Sequence, residues 1–187
     1  MAYPVKHIQA HKKDTWNVDV SYAKALNARR IAIERIFGTW ESNFAELPRY
    51  IDELEHTNPD TIERFEHGPQ ITSQVFTFKF VFWAFGPSIR AFNMCIPIIC
   101  VNGTHLKGNY KGKFLMEATK NANGRMLHVA FAMVDKESNK SRLWFLHLFR
   151  THVASRNLSD LCVISDHHQG ILNVVSQIPG WHHRYCL

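Results

Sequence analysis

The chain has 187 residues, 45% of them hydrophobic and 20% charged, with a formal net charge of +6. That is enough apolar material for one sizeable core, and it sets intrinsic disorder aside. Cys95, Cys100, Cys162 and Cys186 make neither CxxC pairs nor a dense framework, and no apolar run reaches the roughly 18 residues of a membrane span. A secreted disulfide scaffold and a membrane protein are therefore not expected, and an intracellular, reducing location is. The basic balance favours polyanionic partners, nucleic acid first, although a solvated basic surface with no partner explains charge alone equally well.

Residues 1–20 are polar and without a clear period, and read as a frayed leader or the remnant of something upstream. From Ser21, a plausible N-cap, Tyr22, Leu26, Ile33, Ile36, Phe37 and Trp40 recur at helical spacing, with Gly38 placed to end the helix. Phe44, Leu47, Ile51 and Leu54 form a second helical pattern. Pro48 predicts a break, with the better helix running from Pro48 to about His56. Asn58-Pro59-Asp60 reads as a turn and Thr61 to Glu66 as a short strand. Phe76, Phe78, Phe80 and Phe82 alternate as in a strand with one aromatic face, while Val81 to Phe85 would equally begin a helix. Gly86-Pro87-Ser88 breaks the run. These divisions give a polar leader (1–20), a helical and short-strand region (21–94) and a third region (95–187).

In that third region Ile98 to Val101 is a continuous apolar run, as in a strand buried on both faces. Phe114 to Thr119 and Met126 to Val134 follow as strands joined by Asn121-Ala122-Asn123-Gly124, so three antiparallel strands are expected in succession. Leu143, Phe145, Leu146, Phe149 and Val153 predict a helix with Ser141 available as its cap. Leu161 to Ile164 is another buried strand ending at Ser165-Asp166, residues 168–177 a helix, and His182 to Leu187 a last strand. The fold class is α/β, a mixed sheet flanked by helices. Cys95, Cys100 and Cys162 lie in or beside apolar runs and are expected to be small core residues.

Polar groups displayed just past strand ends are where chemistry is expected. Asn102-Gly103-Thr104-His105 follows the first of these strands and Asp166-His167-His168 the fourth. If the two strands are neighbours, Asn102 and Asp166 face one another across a small cleft. A lone Asp after an apolar strand is equally well read as the cap of the following helix. His167 and His168 fit a helix start better than a metal or phosphate contact. Lys107, Lys111 and Lys113, with His105 beside them, suit phosphate contacts and a solvated hairpin loop equally.

The wording of these segments resembles a family. Val101-Asn102-Gly103-Thr104-His105-Leu106-Lys107-Gly108, then Tyr110-Lys111-Gly112 and Ala118 with Asn121-Ala122-Asn123, looks like the first catalytic block of plant Mutator-like (MULE-type) transposases and their domesticated far-red-response relatives. Val129 to Val134, Glu137, Trp144-Phe145-Leu146, Ile164-Ser165-Asp166 with Gly170, and His183-Arg184-Tyr185-Cys186 continue it in order. Tyr22-Ala23-Lys24-Ala25, Gly38-Thr39-Trp40, Leu47-Pro48-Arg49-Tyr50 and Asn58-Pro59 resemble its upstream helical region, so the likeness spans about residues 15–187.

The resemblance implies a ribonuclease-H-like core, preceded by a small helical region, and a DDE site in which carboxylates hold Mg2+ or Mn2+ for phosphodiester strand transfer. Asp166 fits the second acidic position. Asn102 stands at the first, and the third acidic position lies downstream of Leu187, so the core is expected to be C-terminally truncated. Weak divalent-cation binding at Asp166 and Asn102 and no strand transfer are the expectation, because an amide offsets less of a metal's charge than a carboxylate. A zinc site from Cys186, His182 and His183 is not supported by their spacing. The family further implies a nuclear protein, DNA with terminal inverted repeats as partner, and association with itself or a full-length transposase. The competing readings are a domesticated DNA-binding or transcription-associated module, and a gene fragment without selected function.

Overall fold

The computed structural model describes residues 3–72, 75–106, 112–154, 160–166 and 169–186. The chain divides into two compact units, Met1–Leu47 and Pro48–Leu187. The first unit begins with a helix where the sequence reading expected a leader. Helix α1 spans Val5–Trp16, starts after Pro4 and closes on Asn17, which takes the left-handed conformation at φ 49°. Lys6, Gln9, Ala10, Lys12 and Lys13 favour a helix, and pattern reading missed it because only Val5 is buried, which leaves no apolar stripe to detect.

Helix α2 spans Tyr22–Phe37 as expected, with the Ser21 hydroxyl accepting from the Lys24 N–H and Gly38 closing it at φ 80°. Its apolar residues are not core: Tyr22, Ile36 and Phe37 are 58%, 73% and 68% exposed. Helix α3 corrects the predicted break, since it runs Trp40–Thr57 with Pro48 inside it. One proline removes one N–H, and the remaining turns of an eighteen-residue helix hold across it. The boundary between the two units falls at that proline.

After α3, a turn with Asp60 at φ 67° leads into strand β1 (Ile62–Thr72), longer than expected, which pairs antiparallel with β2 (Val75–Ala84). Gly68 and Pro69 lie inside β1, with register shifts around them. The Thr77 hydroxyl donates to the Pro69 carbonyl at 2.8 Å. A Cβ on Gly68 would stand 2.5 Å from that hydroxyl, so the position excludes a side chain. The alternative of a helix beginning at Val81 is not realised. Gly86-Pro87-Ser88 proves to be a helix start: α4 spans Gly86–Phe92 with its proline in the first turn.

The remaining elements are β3 (Ile98–His105), β4 (Lys113–Lys120), β5 (Met126–Val134), α5 (Asn139–Leu148), a π-helical turn (Phe149–Val153), β6 (Leu161–Ser165), α6 (Gln169–Val175) and β7 (Trp181–Tyr185). The β4–β5 turn forms as read, with Asn121 Oδ1 accepting from the Asn123 and Arg125 N–H groups and Gly124 at φ 72°. The cap of α5 is Ser138 rather than Ser141. Ser141 sits three residues on and closes a reciprocal capping box with it.

All seven strands form one mixed sheet in the order β1-β2-β5-β4-β3-β6-β7. The pairs from β1 to β3 are antiparallel, and β3–β6 and β6–β7 are parallel. Helix α5, the π-helical turn and α6 supply Phe145, Leu146, Phe149, Val174 and Val175 to a single core with Phe82, Ile99, Val101, Leu115 and Val163. Phe82 packs on Phe145 with ring centroids 5.8 Å apart. Burying each such ring contributes about 2–3 kcal/mol. The expectation for the cysteines is corrected at Cys100, which is exposed, while Cys95 and Cys162 are half-buried. Alternation along β3 turns Cys100 away from the covered face that Ile99 and Val101 occupy.

Candidate functional site

The parallel pairing of β3 with β6 sets Cys100 opposite Ile164. Two residues further along both strands, the same register brings Asn102 level with Asp166. Both line one cleft of about 140 Å3 at the C-terminal ends of these strands, together with Gly103, Lys113, Glu137 and Arg142. Asn102 and Asp166 thus line one cleft, although Asn102 lies inside β3, which runs on to His105 instead of ending at Val101 as the apolar run predicted. Both are exposed. Asn102 Oδ1 accepts from the Gly103 N–H at 2.7 Å, a bond that uses one of the two acceptor positions of that oxygen. Asp166 follows Ser165, whose hydroxyl is 3.0 Å from the Asp166 carbonyl and 2.8 Å from His183 Nε2. Burial, with Arg184 adding to it, lowers the pKa of His183, so this ring tends to the neutral form.

Lys113, placed in the loop by sequence, begins β4 opposite His105. Its ammonium pairs with Glu137 Oε2 at 2.8 Å. Arg142, reaching back from the first turn of α5, also engages Glu137: its Nε donates to Oε1 at 3.0 Å and its Nη2 donates to the same oxygen. Burial alone would raise the Glu137 carboxyl, but the hydrogen bonds from Lys113 and Arg142 outweigh it and hold the carboxyl below its ordinary value. A Cβ on Gly103 would reach Glu137 Oε1 at an ordinary contact distance of 3.5 Å and crowd Leu115 Cδ2 at 3.2 Å. Arg142 and its pairing with Glu137 were missed in the sequence. The one available signal was an acid and a base flanking a Ser138/Ser141 capping box. Lys107, Lys111, His167 and His168 lie outside the described residues.

Among the described residues, no group of three His, Cys, Asp or Glu side chains is placed to hold a metal ion. Among the described residues, Glu137 is shared between two cations and no ion pair is formed by Asp166, the cleft's other carboxylate.

A mixed sheet whose two parallel junctions open a polar cleft beneath a helical layer defines the class as an α/β domain with a strand-end site. Residues 98–187, which hold that cleft and the strands β3 to β7, match the family model of the MULE transposase domain. Over these residues the chain is similar to that domain. No curated protein matches the chain.

Proposed function

We propose that residues 98–187 form a ribonuclease-H-like transposase core, of the plant MULE type suggested by its motifs, which engages DNA and does not cut it. The observation that carries this reading is the register of β3 on β6, which brings Asn102 to the same cleft as Asp166 within the stretch matching the family model. The strand order β5-β4-β3-β6-β7, three antiparallel strands followed by two parallel ones, supports the ribonuclease-H-like assignment.

Two-metal phosphodiester chemistry asks for carboxylates that neutralise both cations and bridge them. The donors here do not fit that pair. Asn102 brings no charge, while Glu137 is neutralised by Lys113 and Arg142. Among the described residues of the cleft, a magnesium or manganese ion would find Asp166 as its one unpaired carboxylate, and no strand-transfer step is routed through it. The reading further places the protein in the nucleus, with DNA as its partner and terminal inverted repeats as the segments of interest.

The test is calorimetry with Mg2+ and Mn2+ on the protein beside Asn102→Asp and Asn102→Asp/Asp166→Ala. Saturable binding is expected for Asn102→Asp alone. Metal-dependent nicking of DNA by the unmodified protein, lost in Asp166→Ala, would overturn the inactive reading.

A further inference from the structure

We infer that the cleft between β3, β6 and α5 is a binding site for a phosphate group, held by Arg142 and Lys113. The inference rests on the cleft's own geometry and needs no transposase ancestry. Arg142 is 5% exposed and lines the cleft, yet its Nη1 has no acceptor among the described residues. A buried guanidinium donor without an acceptor is costly, and an anionic oxygen is the ligand whose arrival removes that cost most fully. Lys113 adds an ammonium with three donors, of which Glu137 Oε2 takes one at 2.8 Å. Glu137 holds the two cations side by side and cancels one of their two charges, so the trio remains net positive. Arg142 stands in the first turn of α5, so the positive end of that helix adds to the same field.

The cleft, about 140 Å3, admits a phosphate group. The opposing charge is Asp166, exposed at the rim. With Asn rather than Asp at 102, the formal charges of Lys113, Arg142, Glu137 and Asp166 sum to zero; an aspartate at 102 would make the cleft anionic. The residue that spoils a metal site is thus the one that permits an anion. The same chemistry is offered by inorganic phosphate and by the terminal phosphate of a nucleic-acid strand.

The experiment is a titration of the whole chain with inorganic phosphate, followed by thermal unfolding against chloride of equal ionic strength. A saturable, phosphate-specific rise in the midpoint is expected, since a ligand of the folded state stabilises it by mass action. Lys113→Met is expected to weaken phosphate binding roughly tenfold or more, and Asn102→Asp to weaken it too. Asp166→Asn is expected to tighten it. Arg142→Lys should weaken binding as well, and where that variant fails to fold the other three decide. Lys140→Met, on an exposed lysine that pairs with Glu66, serves as control and should change nothing.

No phosphate-specific rise, or a rise left intact by both Lys113→Met and Asn102→Asp, overturns the site. Asp166→Asn and Asn102→Asp move metal and phosphate affinity in opposite directions, so failure here is distinct from failure of the transposase reading. A 5′-phosphorylated single strand that binds more tightly than its hydroxyl-ended twin assigns the phosphate to a strand end. Equal binding, with the phosphate-specific rise still present, assigns it to the free ion.

Discussion

Glu117 stands on β4 opposite Val101 and Ala130, fully buried, with neither carboxyl oxygen hydrogen-bonded among the described residues. Burial pushes its carboxyl well above the ordinary 4.5, so the folded state keeps it protonated where the unfolded chain ionises. The linkage follows from that sign: its contribution is fully present below pH 4.5 and is lost as pH rises toward the folded value. Glu117→Met is expected to stabilise the protein at pH 7 by about 1–3 kcal/mol and to flatten the decline in midpoint between acid and neutral pH. Glu137 runs the other way. Its lowered carboxyl contributes above the ordinary 4.5, and that contribution disappears as pH falls through the folded value. Glu137→Gln leaves Arg142 buried without a carboxylate and is expected to cost about 3–5 kcal/mol at pH 7, as judged from denaturant unfolding. Neither residue's environment was legible in the sequence. An acid among Phe114, Leu115, Met116 and Ala118 looks like the polar half of an alternating strand, and a helix that covers one sheet face is invisible at that stage. Asp166 was legible because the apolar run Leu161 to Ile164 marks a strand end without knowledge of what packs on it, whereas β3 continues through Asn102 to His105.

At the scale of elements, capping and periodicity explain what was read and what was not. Strands β3 to β6 and helices α2, α5 and α6 each announce themselves by an apolar run or stripe long enough to fix the period. Helices α1 and α4 do not, since the first buries one side chain and the second has seven residues. The Ser138/Ser141 box at the start of α5 presents Arg142 to the cleft, so its loss should be felt at the site as well as in stability. Ser138→Ala is expected to cost about 1 kcal/mol, measured as a shift in the urea midpoint. Pro48 makes the opposite test. Since α3 continues through it, Pro48→Ala restores a backbone donor and is expected to stabilise the helix by up to about 3 kcal/mol, read from thermal unfolding. A fall in the midpoint would mean that the proline's ring is itself part of the packing.

For the molecule as a whole, a net charge of +6 supplies a field attractive to DNA at any sequence. The logarithm of the duplex binding constant, measured by fluorescence anisotropy, is expected to fall linearly with the logarithm of salt concentration. Affinity insensitive to salt would point away from phosphate contacts. The sheet also has an outer boundary at β1, and there the interior Gly68-Pro69 acquires a second meaning. A sheet edge is a template on which another chain can add a strand, and it grows as long as each added residue finds a donor and an acceptor. Pro69 offers no donor, and the register shifts on either side of it throw the ladder out of step. Pro69→Val would hand the next molecule a continuous edge, and light scattering of the concentrated protein should then show open-ended assemblies that the unmodified chain resists.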